Sequence, residues 1–259
     1  LQMRGEGERT NLHPAEMEEE PRVLALPGAE ELMAAFFVSE LPGDLRGHLA
    51  LGEKLLALLG QVEAPYITAA VHQLRAQLYL QLDGGQEASP DYDAAIDATR
   101  AAADAFKGTP YTGDRASLLF DLGELLHHDK GPDRGQHLEE AIAVLQEAAS
   151  IFTREAKADR WAYLQLSLAT AYRDRQTGDG QENLQAARRH LEEALDTFID
   201  LPEESFDTRI VAVAAWNRAM LLHEMLQAGL PGVTEQEWRV ADAFARQYPN
   251  PWLEAMGEG

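Results

Sequence analysis

Cysteine is missing from this 259-residue chain. Its absence excludes a disulfide framework, a thiolate metal site and a cysteine nucleophile. It also fits a reducing compartment, so the cytoplasm is the expected location. Positive charge is scarce: 22 Lys and Arg face 44 Asp and Glu, a formal net charge of −22. A field of that sign opposes the phosphate backbone and acidic lipid surfaces, so neither nucleic acid nor a membrane is an expected partner. The same charge either solvates helix faces or offers a docking surface to a basic partner. No apolar run approaches the roughly 18 residues that a membrane helix needs. The start, LQMRGEGERT, lacks the apolar stretch of a signal peptide. Period-two alternation is absent over any useful length, so no sheet is expected.

What the chain does have is helical periodicity between Gly- and Pro-rich breaks. Residues 1–27, rich in Glu, Pro and Gly, read as an acidic flexible leader. Helices are expected from Ala29 to Leu41 and from Asp44 to about Gly60, a pair (residues 28–63) that caps the helical array beginning at Ala64. Eight more run from Ala64 to about Leu82, Asp91 to Phe106, Arg115 to His128, His137 to Phe152, Trp161 to Arg175, Asn183 to Phe198, Ser205 to about Ala228, and Thr234 to Gln247. Thr234 and Glu237 make a capping box for the last. Residues 64–250 form the expected repeat domain and 251–259 a tail. The fold class is therefore all-α, about ten helices in antiparallel pairs.

Three of these segments repeat one another. DYDAAIDATRAAADAF, HLEEAIAVLQEAASIF and NLQAARRHLEEALDTF align at a spacing of 46, which puts Phe106, Phe152 and Phe198 in phase, along with Ala95, Ala141 and Ala187. A fixed period of this length marks a repeat array, in which a lone helical hairpin cannot bury its apolar stripe and stacking supplies the core. Phe152, wedged between consecutive pairs, is expected to be costly to truncate, by about 3 to 5 kcal/mol.

The other helix of each pair carries a small residue between large ones: Ala76 between Gln73 and Tyr79, Gly123 between Leu122 and Leu126, Ala169 between Leu168 and Tyr172, Ala219 between Trp216 and Leu222. Small residues let the paired helix approach closely. Together with the in-phase Phe and Ala positions, this resembles tetratricopeptide repeats over about residues 64–247. More narrowly, FTREAKADRWAYLQLSLATAYRDRQTGDGQENLQAA is similar to the long repeats found beside bacterial caspase-like CHAT peptidases. Arg188, where the other repeats have Ile96 and Ile142, departs from the pattern.

The resemblance implies a right-handed superhelix of antiparallel helix pairs whose first helices line a concave groove for a protein or peptide segment, a basic one being the match for this charge. By register the groove residues are Gln73, Gln77 and Leu80; Phe120, Glu124 and His127; Leu166, Thr170 and Arg173; Trp216, Met220 and His223. The expected role is a non-catalytic, partner-binding scaffold. Three alternatives are a regulatory or substrate-recruiting subunit of a CHAT-type peptidase system, a ligand-responsive sensor, and an unusual helical enzyme. His127, His128, Asp129 and His137 invite a metal reading, but adjacent His residues point to different helix faces and no second ligand cluster has metal spacing. The TGDG and DGG stretches are too short to cradle phosphate, and Glu139 and Glu140 occupy solvated helix positions. No cofactor, metal or catalytic constellation is expected.

Overall fold

The computed structural model describes residues 14–37, 43–202 and 209–248, with side chains from residue 18 onward. Among them are eleven helices and no strand. The chain divides into two compact units, Leu1–Pro132 and Asp133–Gly259, so a boundary falls inside the region expected to be one repeat domain. The expected tail, and parts of the leader and of the helices ending at Leu41 and beginning at Ser205, lie outside the described residues.

The first unit contains α1 (Pro14–Leu24), α2 (Ala29–Phe36), α3 (Leu45–Leu59), α4 (Pro65–Asp83), α5 (Pro90–Ala105) and α6 (Thr112–His128). Helix α1 corrects the flexible-leader expectation for residues 14–24. Its fixed point is Glu19, buried, whose two carboxylate oxygens accept the backbone N–H groups of Tyr66 at 3.1 Å and Ile67 at 3.0 Å. Ala64 at the N-cap of α4 has no side chain to do this and Pro65 has no N–H. A carboxylate brought from α1 therefore satisfies the orphan donors at the positive end of the helix dipole.

Helices α1 to α4 share one core around Val23, Met33, Phe36, Leu55, Ile67 and Leu78. Phe36 stacks on His48, whose Nε2–H donates to the Phe36 carbonyl at 2.7 Å. Gly52 is required there, since a Cβ at that position would lie 2.7 Å from the Phe36 ring. Phe106, buried at the end of α5, meets Tyr66 and Tyr111 with ring centroids 5.7 Å away in each case.

The second unit contains α7 (Arg134–Ile151), α8 (Ala158–Asp174), α9 (Gly180–Asp200), α10 (Arg209–Gln227) and α11 (Glu235–Ala245). Residues 164–169 of α8 are all buried, so this helix is enclosed on every side. Its polar members are provided for: Gln165 accepts from His190 Nδ1–H at 2.6 Å. Phe198 is 1% exposed and packs edge-on against Tyr163. Phe152 is a correction. It caps the C-terminus of α7 and is only half-buried, so it is a weaker wedge than Phe106 or Phe198.

Arg188 has a role of its own. It reaches from α9 to the Gly232 carbonyl at 2.8 Å and to the carboxylates of Glu237 and Glu192, fastening the turn before α11. An Ile could fill the space but not satisfy that carbonyl. Glu139, expected to be solvated, instead accepts a bidentate pair from Arg175 at 2.8 and 2.7 Å. The guanidinium and the Thr177 hydroxyl hold its carboxyl below the usual range against the opposing effect of burial.

Candidate functional site

In the first unit, α4, α5 and α6 enclose a concave cavity of about 560 Å³, within the size range of ligand sites. Helix α4 supplies Gln73, Ala76, Gln77 and Leu80 at the spacing of one helical face. Helix α6 supplies Leu118, Asp121, Glu124, Leu125 and His128, and Tyr92 and Thr99 come from α5.

One end is closed by the loop after α4. Gly84 and Gly85 take φ of 64° and 84°, backbone that only glycine adopts freely, and Glu87 follows at 54°. What holds this turn is the buried Asp83 carboxylate. It accepts from the Ser89 hydroxyl at 2.5 Å and from the N–H groups of Gly85 and Glu87, each at 3.1 Å. Burial acts against ionisation, but Ser89 and the backbone donors outweigh it and hold the carboxyl below its ordinary value. Ser89 in turn caps α5 by accepting from Tyr92 N–H. The Tyr92 hydroxyl donates to the Leu125 carbonyl at 2.9 Å, tying α5 to α6, and burial with nearby carboxylates pushes its pKa up.

Of the residues placed in the groove by register, Gln73, Gln77, Leu80 and Glu124 line this cavity together with the small residue Ala76. Phe120 and His127 do not; they are half-buried beside it, and His127 lies edge-on to His128. On α6 Glu124 lies where expected, while Asp121 and His128 line the cavity one position beyond Phe120 and His127, and one position rotates a side chain by about 100° around the axis. Gly123 is buried behind them. Asp83 and His128 are lining residues that the sequence pattern assigns to a turn and to a loop end.

In the second unit most of the corresponding residues are engaged within the protein itself. Leu166 is a correction: it belongs to the core, because α8 has no free face there. Thr170 is half-buried and donates to the Ser167 carbonyl. Arg173 is engaged with Glu224 of α10 at 3.1 Å. Trp216 packs against the core with a buried indole N–H that has no partner among the described residues. Met220 is exposed, and so is His223, which lies against Trp238. Ala169 and Ala219 are buried. A separate concavity of about 360 Å³ on α9, α10 and α11 collects the exposed Ile199 and Val240 with Phe244 and Arg218. Sequence periodicity gives no signal for it.

Among the described residues no group of three or more His, Asp or Glu could hold a metal ion, and no helix is long and apolar enough to cross a membrane. His127, His128 and Asp129 do not converge: His128 Nδ1–H donates to the Glu124 carbonyl, while Asp129 accepts from Gly131 N–H.

No family model and no curated protein matches the chain. Among solved structures it is similar to a crystal structure of BtubC (BKLC) from P. vanneervenii, with a TM-score of 0.61 and 18% identity, over 91% of this chain and 87% of that one. At this identity the likeness is one of fold.

Proposed function

We propose that the chain is a non-catalytic helical-repeat scaffold, a superhelix of the tetratricopeptide kind, that binds a protein or peptide segment on the concave face of its first helices. The observation that carries this reading is the α4–α6 cavity, where Gln73, Gln77, Leu80 and Glu124, chosen by repeat register, come together around Ala76. Gln73 and Gln77 are exposed amides on adjacent turns, suited to hydrogen-bond an extended backbone laid across them. The resemblance over residues 152–187 favours work beside a caspase-like peptidase, as a regulatory or recruiting subunit.

The test is replacement of Gln73, Gln77 and Glu124 together by Ala, with affinity measured for a partner co-purified from the native source. Loss of about tenfold or more is expected, since two or three interface contacts of about 0.5 to 1.5 kcal/mol each are removed. Unchanged affinity would place the partner elsewhere.

A further inference from the structure

We infer that the α4–α6 cavity is a subsite for the Lys or Arg side chain of a basic, otherwise apolar partner segment, an inference that rests on the scaffold reading above. Its walls carry Asp83, Glu87, Asp121 and Glu124, while none of the described lining residues is Lys or Arg. These carboxylates are not equally compensated. Glu87 is met from outside by Lys130 at 2.6 Å. Asp83 receives its hydrogen bonds from a hydroxyl and backbone N–H groups, which keep it ionised without cancelling its charge. The Glu124 carboxylate meets no cation among the described residues.

The floor between them is apolar: Ala76, Leu80, Leu118 and Leu125. A hydrophobic floor beneath a carboxylate rim suits a side chain with a methylene stem and a cationic head. The stem lies on the leucines while the head reaches Glu124 and the negative end wall at Asp83. Charge complementarity decides the class of partner. An acidic segment would be driven out by the walls, and a neutral one would leave the Glu124 carboxylate desolvated without a counter-charge. The chain's net charge of −22 acts in the same direction at longer range by steering a basic segment inward.

The probes are three degenerate peptide pools identical except for a central residue fixed as Lys, norleucine or Glu. Binding to the full chain is followed by fluorescence anisotropy, and location by backbone amide chemical shifts. The Lys pool is expected to bind about tenfold tighter than the norleucine pool, with shifts at Gln73, Gln77 and Glu124, and to weaken as salt rises. Glu124→Gln should weaken the Lys pool about two- to fivefold, as loss of a partly exposed ion pair does. Glu124→Lys should weaken it further, whereas Glu193→Gln, an exposed charge on α9, should change nothing. Thermal unfolding establishes that each variant folds.

Equal or tighter binding of the norleucine or Glu pool at the same residues overturns the basic subsite and leaves the peptide-binding reading standing. Binding of the Lys pool that Glu124→Lys does not weaken also overturns it. Failure of all three pools to shift those residues overturns both.

Discussion

The two units put the same helical register to opposite uses. In the first, Gln73 and Gln77 of α4 and Glu124 of α6 stand around an open cavity of about 560 Å³. In the second, much of the face is engaged internally, with Met220 and His223 left exposed: Leu166 is core, Arg173 is clasped to Glu224, and Tyr172 is stacked on His190 while its hydroxyl accepts from Gln146. A repeat pattern thus fixes which residues sit beside the small packing position, and the chemistry at those positions decides whether the face is left for a ligand.

The sharpest break of that comparison comes from the in-phase phenylalanines. Phe198→Ala removes a fully buried ring from the core that encloses α8 and should destabilise the second unit by about 3 to 5 kcal/mol. Phe152→Ala, at a half-buried C-cap, should cost about 1 to 2 kcal/mol. All four Trp lie beyond Asp133, so tryptophan fluorescence in urea reads the second unit, while circular dichroism reads both. Equal losses for the two variants would mean that Phe152 is a full wedge after all.

Acid should expose a second difference. Burial, with nearby Arg189, lowers His190 to about 4, below the ordinary value of 6.5. Between those values the unfolded chain binds a proton that the folded chain does not, so stability is complete above pH 6.5 and falls as pH drops toward 4. Allowing for the ring's partial exposure, the loss is roughly 2 kcal/mol. His72 in the first unit, also lowered to about 4 by burial and by Arg75, titrates through the same window. His190→Gln should therefore flatten the pH dependence seen by tryptophan fluorescence while leaving the His72 contribution in circular dichroism. An unchanged fluorescence profile would show that His190 is not the group responsible.

Each helix expected from periodicity has a counterpart in α2 to α11, because apolar spacing is set by burial on one side. What that spacing misses has physical causes. Helix α1, in a stretch rich in Glu with Pro21 inside it, is held by the buried Val23 and by Glu19, a residue type that sequence patterns assign to solvent. The enclosed run of α8 alternates polar Gln165 and Ser167 with leucines and so resembles a half-exposed face. The α4 side of the cavity is legible because Ala76 fixes its rotation. The α6 side is legible at Glu124 but not at Asp121 and His128, which stand one residue beyond the expected Phe120 and His127, and the end wall depends on an Asp83 hydrogen-bond network between residues that spacing alone cannot connect.

Glu19 itself gives a smaller and more local effect, confined to the unit with the open face. Glu19→Gln keeps one acceptor for Tyr66 and Ile67 but loses the second and the charge beside the α4 dipole. The expected loss is about 1 to 2 kcal/mol. Circular dichroism should report it and tryptophan fluorescence should not. A loss seen equally by both probes would mean that the two units unfold as one.

The smallest effect tests whether the closed face is closed by choice of side chain. The Arg173–Glu224 pair is partly exposed, with its members 31% and 46% accessible, so Arg173→Gln should change stability by less than about 1 kcal/mol. Its larger consequence should be local. Thr170 and Met220 stand about one turn before Arg173 and Glu224 on their helices, and without the clasp the Glu224 carboxylate loses its guanidinium partner. Arg173→Gln should then bind the Lys-centred peptide pool at a second location, with amide shifts at Thr170 and Met220 that the parent chain does not show. If the shifts stay confined to the first unit, packing around Leu166 and Trp216 closes the face, and the ion pair only decorates it.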